Sequence, residues 1–517
     1  MAPFIRRVRT ASGATAVQIV EKQGRKNVVL KHVGSAHNEV ELTVLMQAAH
    51  DELHPGQTTL DLEPKRRHAR SALRVGGKRS ALLWSVLDKA YVDIGFDVLG
   101  DEAFKQMVLA RLIEPCSKEA TVNVLERLGI EHVSRRTLFN SLKRCAQRAY
   151  RDTLAQACFT HASRHGDLSL VLYDVTTLYF EAEREDEDWE ANKGFRRVGY
   201  SKERRVDPQI IVGLLVDRAG NPLEVEAFEG NKAETHTLIS IIKRFQDRHG
   251  LHDFVVVADA GMLSVGNLKA LDEAGLLFIV GARQSRAPHD LEQYWDQHGD
   301  YMVDGQIIDH PIPNPRTQQP SLDQGDSRQV GQKSWRAIWA YSSKRAARDN
   351  RTLNAQQRRA MDAIEGAKPA RKPRFVSQGR MGMTFDDKAF EHAQRLVGLK
   401  GYVTNIPAHV SDGRQIIAYY HELWHVEQSF RMSKHDLKAR PIFHHTKDAI
   451  QAHLTVVTAA LTLARHLYQE TGITAPKLVK KLIDLQEIDI TLPNGQQHTA
   501  YPQIDPQTQE LLTLLGH

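Results

Sequence analysis

VLYDVTTLYF, residues 171–180, is the stretch whose reading decides the fold of this 517-residue chain. Val171, Leu172, Val175, Thr176, Thr177, Tyr179 and Phe180 favour a pleated, half-buried setting, so a strand is predicted there. Asp174 falls near its middle, where a carboxylate is costly unless it is paired, hydrogen-bonded or holding a cation. Downstream, VDPQIIVGLLVD and PLEVEAFEG predict two more strands, and THTLISIIKRFQDRHG an amphipathic helix. HDFVVVADAG and LLFIVGAR then read as buried strands separated by the helix SVGNLKALDEAG. Three strands followed by alternating helix and strand predict an α/β fold, a mixed sheet with helices covering its faces.

Around this core the chain divides by pattern. Residues 1–85 read as a small β unit plus a helix, with strands TAVQIVE and KNVVLKHVG about the turn-like KQGRK, then the helix NEVELTVLMQAAHDEL. Residues 86–165 are helical, with apolar residues three and four apart in EAFKQMVLARLI, EATVNVLERL and RRTLFNSLKRCAQRAY. Between the last two lies GIEHVS, with Gly129 as a stop and Ser134 as an N-cap. Helix, short turn and basic helix outline a helix-turn-helix, although any small bundle has that outline, and packing alone is the first reading of this segment. The core is expected over 166–283 and 399–475. A polar, basic insertion with strand candidates YMVDGQIID and WRAIWAYSS interrupts it at 284–398, and a tail at 476–517 closes with a hairpin at LPNG, 492–495.

Composition bounds the function classes. The net charge of +6 and pI near 9.0 favour nucleic acid only slightly; the distribution says more. Basic residues gather at 135–151, 195–205 and 344–360, and acidic residues at 181–190. Three cysteines without metal-type pairing point to a reduced, cytoplasmic setting rather than a disulfide scaffold. The most apolar run, LTVVTAALTLA at 454–464, is too short to span a bilayer, so no membrane partner is expected.

Two further acids stand out. Asp259 ends the strand FVVVADAGM, and the carboxyl end of a strand is where such sheets bind ligands. Glu427 lies in YYHELWHVEQSFRMSKHDLKARPIF, predicted as one helix that stops before Pro441. Tyr420, Glu427 and Lys434 are spaced by seven, hence about 20° apart per step on a helix, and Arg431 is four past Glu427. A phenol, a carboxylate, a guanidinium and an ammonium on one stripe suit a metal ion and the phosphates around it. Singly, each acid has a plainer role: Asp259 capping the next helix, Glu427 pairing with Arg431, Asp174 facing water on an edge strand. The apolar runs around the two aspartates and the phosphate-binding residue types around Glu427 favour a shared site.

In order and context, Asp174, Asp259 and Glu427 resemble the catalytic triad of DDE transposases of bacterial insertion sequences, enzymes with a ribonuclease-H-like core. The signature Y-x2-R-x3-E-x6-K is matched at Tyr420, Glu427 and Lys434, with Leu423 where arginine is expected. GYSKERRVDPQIIVGLLVD (199–217), FEGNKAETHT (228–237), VVADAGM (256–262) and FRMSKHDLKARPIFH (430–444) are similar to insertion-sequence family four, in particular its sixteen-thirty-four offshoot. The resemblance runs from about 167 to 465; the N-terminal region matches by position only.

The resemblance implies a ribonuclease-H-like sheet interrupted by a largely β insertion. It also implies a cut-and-paste DNA transposase that binds terminal inverted repeats, cleaves the ends and transfers the 3′ ends to target DNA. Two Mg²⁺ ions per site are implied, with Mn²⁺ able to substitute: Asp174 bridging both, Asp259 and Glu427 each completing one. Tyr420, Arg431 and Lys434 would hold terminal phosphates through a hairpin intermediate. Trp424 either stacks on a displaced base or, as the first reading, packs on the core. Lys202, Arg204 and Arg205 are either DNA-backbone contacts or a solvated turn, as is the run at 344–360. Arg135, Arg136 and Lys143 are the DNA candidates on the basic helix. The histidines of FHH, 443–445, resemble zinc ligands but lack a partner cluster. A homodimer on double-stranded DNA at the nucleoid is the implied assembly. The alternatives are a ribonuclease-H-like nuclease without strand transfer, and an inactive DNA-binding derivative that Leu423 leaves open.

Overall fold

The computed structural model describes residues 3–10, 13–24, 26–53, 74–181, 184–186, 194–199, 207–262, 264–282, 289–312, 314, 335–366, 373–379, 382–492 and 495–517. The first unit holds an antiparallel sheet of β1 (Phe4–Arg9), β2 (Thr15–Gln23) and β3 (Lys26–Ala36), in that order, and a helix, α1 (Glu39–Leu53). Alternation in β2 turns Val17 and Ile19 inward against Ala49, Leu42, Leu45 and Met46 of the helix. The expected β unit with its helix is there, and β1 is an addition to it.

The second unit begins with β4 (Arg74–Arg79) and the helices α2 (Ala81–Asp93), α3 (Glu102–Ile113), α4 (Lys118–Arg127), α5 (Arg135–Gln147) and α6 (Tyr150–His165). Gly129 takes a φ of 66° just past α4, a left-handed value that suits glycine, and the Ser134 hydroxyl accepts from the Thr137 N–H at the start of α5. Asp101 caps α3 and its buried carboxylate also accepts from Ser141, Arg144 and Tyr150, which ties three helices together.

The core follows with β5 (Leu170–Tyr179), β6 (Gln209–Asp217), β7 (Pro222–Glu229), α7 (Leu238–His249), β8 (Val255–Ala258), α8 (Val265–Glu273) and β9 (Leu277–Gly281). Strands β5, β6 and β7 form an antiparallel meander, while β8 and β9 run parallel to β5. The order β7-β6-β5-β8-β9 is the ribonuclease-H-like arrangement, with β5 in its interior. Opposite residues of β5 enter different cores: Val171, Tyr173 and Val175 pack with α7 and α8, whereas Leu170, Leu172 and Leu178 face the other side.

The next segment departs from the expected largely β insertion. It carries α9 (His289–His298), β10 (Ile307–Ile312), β11 (Trp335–Tyr341), α10 (Ser343–Ile364), the hairpin β12 (Val376–Gly379) and β13 (Gly382–Phe385), and α11 (Asp387–Arg395). The run at 344–360 is therefore a helix, not a turn. It is free of Pro and Gly and rich in Ala, Arg and Gln, all favourable in helices, and it buries Ala346, Leu353, Ala360 and Ala363 along one side. Strands β10 and β11 extend the core sheet through β14 (Leu399–Thr404), giving the full order β10-β11-β14-β9-β8-β5-β6-β7.

The chain ends with α12 (Gly413–His421), α13 (Trp424–Arg431), a π-helical turn (Met432–Asp436), α14 (Lys447–Thr471), α15 (Ala475–Leu482), β15 (Glu487–Thr491), β16 (Gln497–Ala500) and α16 (Pro506–Leu514). The hairpin expected at LPNG joins β15 to β16, which pair beside β4; Pro493 and Asn494 lie outside the described residues. Among the described residues no helix is long and apolar enough to cross a membrane. The apolar run at 454–464 is the buried middle of α14, packed on α3 and α5.

Candidate active site

Strand register brings the two aspartates side by side. In the parallel pair β5–β8, Tyr173 lies opposite Ala258, so one residue further along each strand stand Asp174 and Asp259. Neighbouring strands are about 4.8 Å apart, and residues in register share a face. Leu172 and Val257 mark that face as the one covered by Ile416, Tyr420, Leu423, Val426 and Phe430. The plainer roles of these acids are not realised: β5 is an interior strand, and Ser264, not Asp259, caps α8.

Tyr420, at the end of α12, reaches down to this pair. Its hydroxyl donates to Asp259 Oδ1 at 2.7 Å. Burial first, then the charge of Asp259 and the hydrogen bond to it, push the phenol pKa well above its ordinary value; the charge of Asp174 adds to this. Gly281 makes the approach possible, because a Cβ there would lie 2.5 Å from the Tyr420 hydroxyl. Lys400 of β14 completes the group, with Nζ 3.4 Å from the same hydroxyl and 5.0 Å from the ring centroid. Burial lowers the Lys400 pKa and Asp259 opposes the shift.

Glu427 arrives on a helix that packs against β5. The segment predicted as one helix is two, broken by a tight turn at Glu422 and Leu423. There the N–H groups of Glu422, Leu423 and His425 bond three residues back, at 3.2, 3.2 and 2.9 Å. Such turns advance about 120° per residue, so the phase is lost and Tyr420 is buried while Glu427 is exposed. At this turn the Leu423 side chain is buried in the core where the signature places an arginine. Among the described residues the Glu427 side chain has no hydrogen bond or ion pair, so the pairing with Arg431 is not made.

Arg465 of α14, almost fully buried, anchors this helix. It donates to Gln428 Oε1 at 2.8 Å and to the Ala219 carbonyl, and lies 3.4 Å from His425 Nδ1. The Ser429 hydroxyl donates to the neighbouring Gly220 carbonyl at 3.0 Å. The residues flanking Glu427 are thus tied to the β6–β7 turn. Neither Arg465, Gly281 nor Lys400 is marked by the local pattern around it; the one signal is a glycine ending the apolar strand LLFIVG.

Among the described residues no three Asp, Glu, His or Cys side chains are gathered closely enough to hold a metal ion. What is present is an aspartate pair on one face, with Glu427 carried on the covering helix. The donors are carboxylate oxygens, the chemistry that hard divalent cations select. Mg²⁺ in particular binds through one or two carboxylates and keeps several waters, so these residues fit such an ion.

The other candidates fall in separate places. Trp424 is 50% exposed, its ring tilted by 31° against that of His425 with centroids 3.7 Å apart, which corrects its reading as a core residue: α13 buries Val426, Ser429 and Phe430 instead. Arg431 is exposed, and Lys434 lies half-buried in the π-helical turn. Helix α5 buries Leu138, Ser141, Leu142 and Cys145 and presents Arg135, Arg136 and Lys143 outward, Arg135 pairing with Glu119 at 2.7 Å. Lys202, Arg204 and Arg205 lie outside the described residues. Of the FHH histidines, burial holds His444 down to about 4, and His445 lies 3.3 Å from Arg196.

A ribonuclease-H-like sheet carrying paired aspartates, with a glutamate on the covering helix, defines the DDE class of phosphodiester-processing folds. Residues 165–463, more than half of the chain, match the family described as transposase DDE domain, and the chain belongs to that family. It is a transposase. No protein of curated function matches the chain in sequence. Among solved structures it is similar to a piggyBac transposase synaptic complex with hairpin DNA, at 10% identity and a TM-score of 0.38, covering 78% of this chain and 79% of that one. A Mos1 transposase paired-end complex with left transposon end shows 15% identity and a TM-score of 0.16, covering 47% and 67%. The family assignment rests on the sequence match.

Proposed function

We propose that this transposase binds the terminal inverted repeats of its element, cleaves the phosphodiester bonds at the ends and joins the 3′ ends to target DNA by cut and paste. The observation that carries this reading is the register that sets Asp174 beside Asp259 under Tyr420. Asp174, Asp259 and Glu427 would hold two Mg²⁺ ions, or Mn²⁺ in their place. Bound there, divalent cations activate the attacking water and neutralise charge on the leaving oxygen.

The chain's own groups do the rest. An interior strand holds Asp174 rigid, and the Tyr420 hydroxyl orients the Asp259 carboxylate. In the first step water attacks phosphorus and the bond to the 3′ oxygen breaks, leaving a 3′ hydroxyl and a 5′ phosphate. That hydroxyl then attacks a target phosphorus and displaces the target's own 3′ oxygen. Lys400, Arg431 and Lys434 supply positive charge for the phosphates, and the exposed face of Trp424 offers a stacking platform for a displaced base. The outward face of α5, with Arg135, Arg136 and Lys143, suits the terminal repeat, bound by a homodimer at the nucleoid.

A second reading, a DNA-binding derivative without catalysis, is favoured by the buried Leu423. Cleavage of a labelled duplex carrying the element's terminal repeat separates the two. Cutting at the repeat end that needs Mg²⁺, stops in EDTA and is absent in Asp174→Ala is the expected result. Tight binding by wild type without cutting would establish the second reading, and an Asp174→Ala variant that cuts as well as wild type would remove Asp174 from the site.

A further inference from the structure

The insertion builds a cationic groove of about 510 Å³, lined by Ser342, Lys344, Arg345, Ala347, Arg348 and Arg351. Among the described residues its lining holds four cations and no acid. Lys344, Arg348 and Arg351 fall at i, i+4 and i+7, on one stripe of α10, and all three are exposed. Among the described residues the acids beside it are Asp349, 3.4 Å from Arg345 Nε and 3.9 Å from Arg348 Nε, and Asp304, which accepts from the Ser343 N–H at 2.7 Å, so two carboxylates stand against four positive charges.

The sheet places this groove next to the catalytic face. Strand β11 ends at Tyr341, opposite Leu399, with Ala340 opposite Lys400. The Ser342 N–H, at the helix start, donates to the Gly398 carbonyl at 2.9 Å. Lys400 in turn lies 3.4 Å from the Tyr420 hydroxyl that holds Asp259. Positive charge therefore runs from the groove through Lys400 to the aspartate pair. A merely solvated helix face would intersperse acids with its bases, and this stripe has none.

We propose that the groove at the start of α10 is a track for DNA phosphates, a binding surface that the insertion adds beside the active site. The occupant is duplex DNA continuing from the strand held at Asp174 and Asp259. The inference rests on the DNA-cleaving reading above and names where that DNA passes.

Fluorescence anisotropy with a labelled random-sequence duplex, titrated across a KCl series, tests it. Each phosphate contact contributes about 0.9 to the slope of log K against log salt, so a variant combining K344Q, R348Q and R351Q is expected to lose roughly 2 to 3 from that slope. Arg351→Gln alone is expected to lose about 0.9, which keeps the test open should the triple variant fail to melt cooperatively. A folded variant whose slope equals that of wild type overturns the groove while leaving the transposase mechanism standing. A wild type that binds no duplex overturns that mechanism and the groove with it.

Discussion

Tyr420 and Asp259, 161 positions apart in sequence, are joined by a hydrogen bond of 2.7 Å in which the phenol donates to the carboxylate. It fixes one member of the aspartate pair from the opposite layer of the fold. A hydrogen bond to a charged group contributes about 1.5–3 kcal/mol. Tyr420→Phe is therefore expected to slow single-turnover cleavage roughly 10- to 100-fold while the protein still melts cooperatively. Unchanged cleavage would show that Asp259 is oriented without the phenol.

Gly281 is where that hydroxyl passes the sheet. A Cβ at this position would lie 2.5 Å from the Tyr420 hydroxyl and 3.2 Å from the Ala260 nitrogen. Gly281→Ala is expected to cost about 1–3 kcal/mol and to slow cleavage at least as much as Tyr420→Phe by displacing the phenol. Adding Tyr420→Phe removes the nearest clashing atom, so the double variant is expected to regain part of the lost stability. Denaturant midpoints of the four proteins give the coupling, and strict additivity would exclude the contact.

Arg465 acts on Glu427 through the residues beside it. Arg465→Met leaves Gln428 Oε1 and the Ala219 carbonyl without their donor and is expected to cost about 1–3 kcal/mol. Cleavage is expected to fall while duplex affinity in EDTA holds, because α13 loses its tether to the β6–β7 turn. Loss of affinity in step with cleavage would argue for a direct DNA contact instead.

His249 predicts a pH response of stability. Its ring stacks on Phe159 at 4.1 Å, both ring nitrogens are buried without a hydrogen-bond partner among the described residues, and burial followed by the Arg248 charge brings its pKa down from 6.5 to about 4. The folded value lies below the unfolded one, so the unfolded chain takes up the proton first. This contribution to stability is whole above pH 6.5 and is lost as pH falls toward 4. His249→Phe is expected to raise stability by roughly 1 kcal/mol and to flatten that slope. Urea midpoints at pH 7 and pH 5 decide it; equal slopes in the two proteins would mean that His249 titrates normally.

Much of this fold was legible because its signals are local. Ser134 caps α5 and Gly129 follows α4 through the chemistry of a hydroxyl and of a residue without a Cβ, both of which act within a few positions. The β-branched runs around Asp174 and Asp259 announced interior strands, and their acids stood out against them. Helix α10 escaped because its buried stripe is mostly alanine, which carries little contrast with its polar neighbours. The continuous helix from Tyr420 to Lys434 was a sound local expectation that the tight turn at Glu422 and Leu423 overturns.

By itself, then, the sequence determined the core strands, the caps around Gly129 and Ser134 and the basic helix α5, and it singled out the three acids as candidates, since each follows from neighbours along the chain. Only the tertiary structure decided that Asp174 and Asp259 stand in register and that the Tyr420 hydroxyl crosses to Asp259 past Gly281. The same holds for Lys400, which reaches the site from the far side of the insertion, and for the turn at Glu422 and Leu423, after which Leu423 is buried and Glu427 exposed. Those relationships depend on pairing and on burial between residues far apart along the chain, 85 positions in the case of Asp174 and Asp259. No local periodicity encodes either.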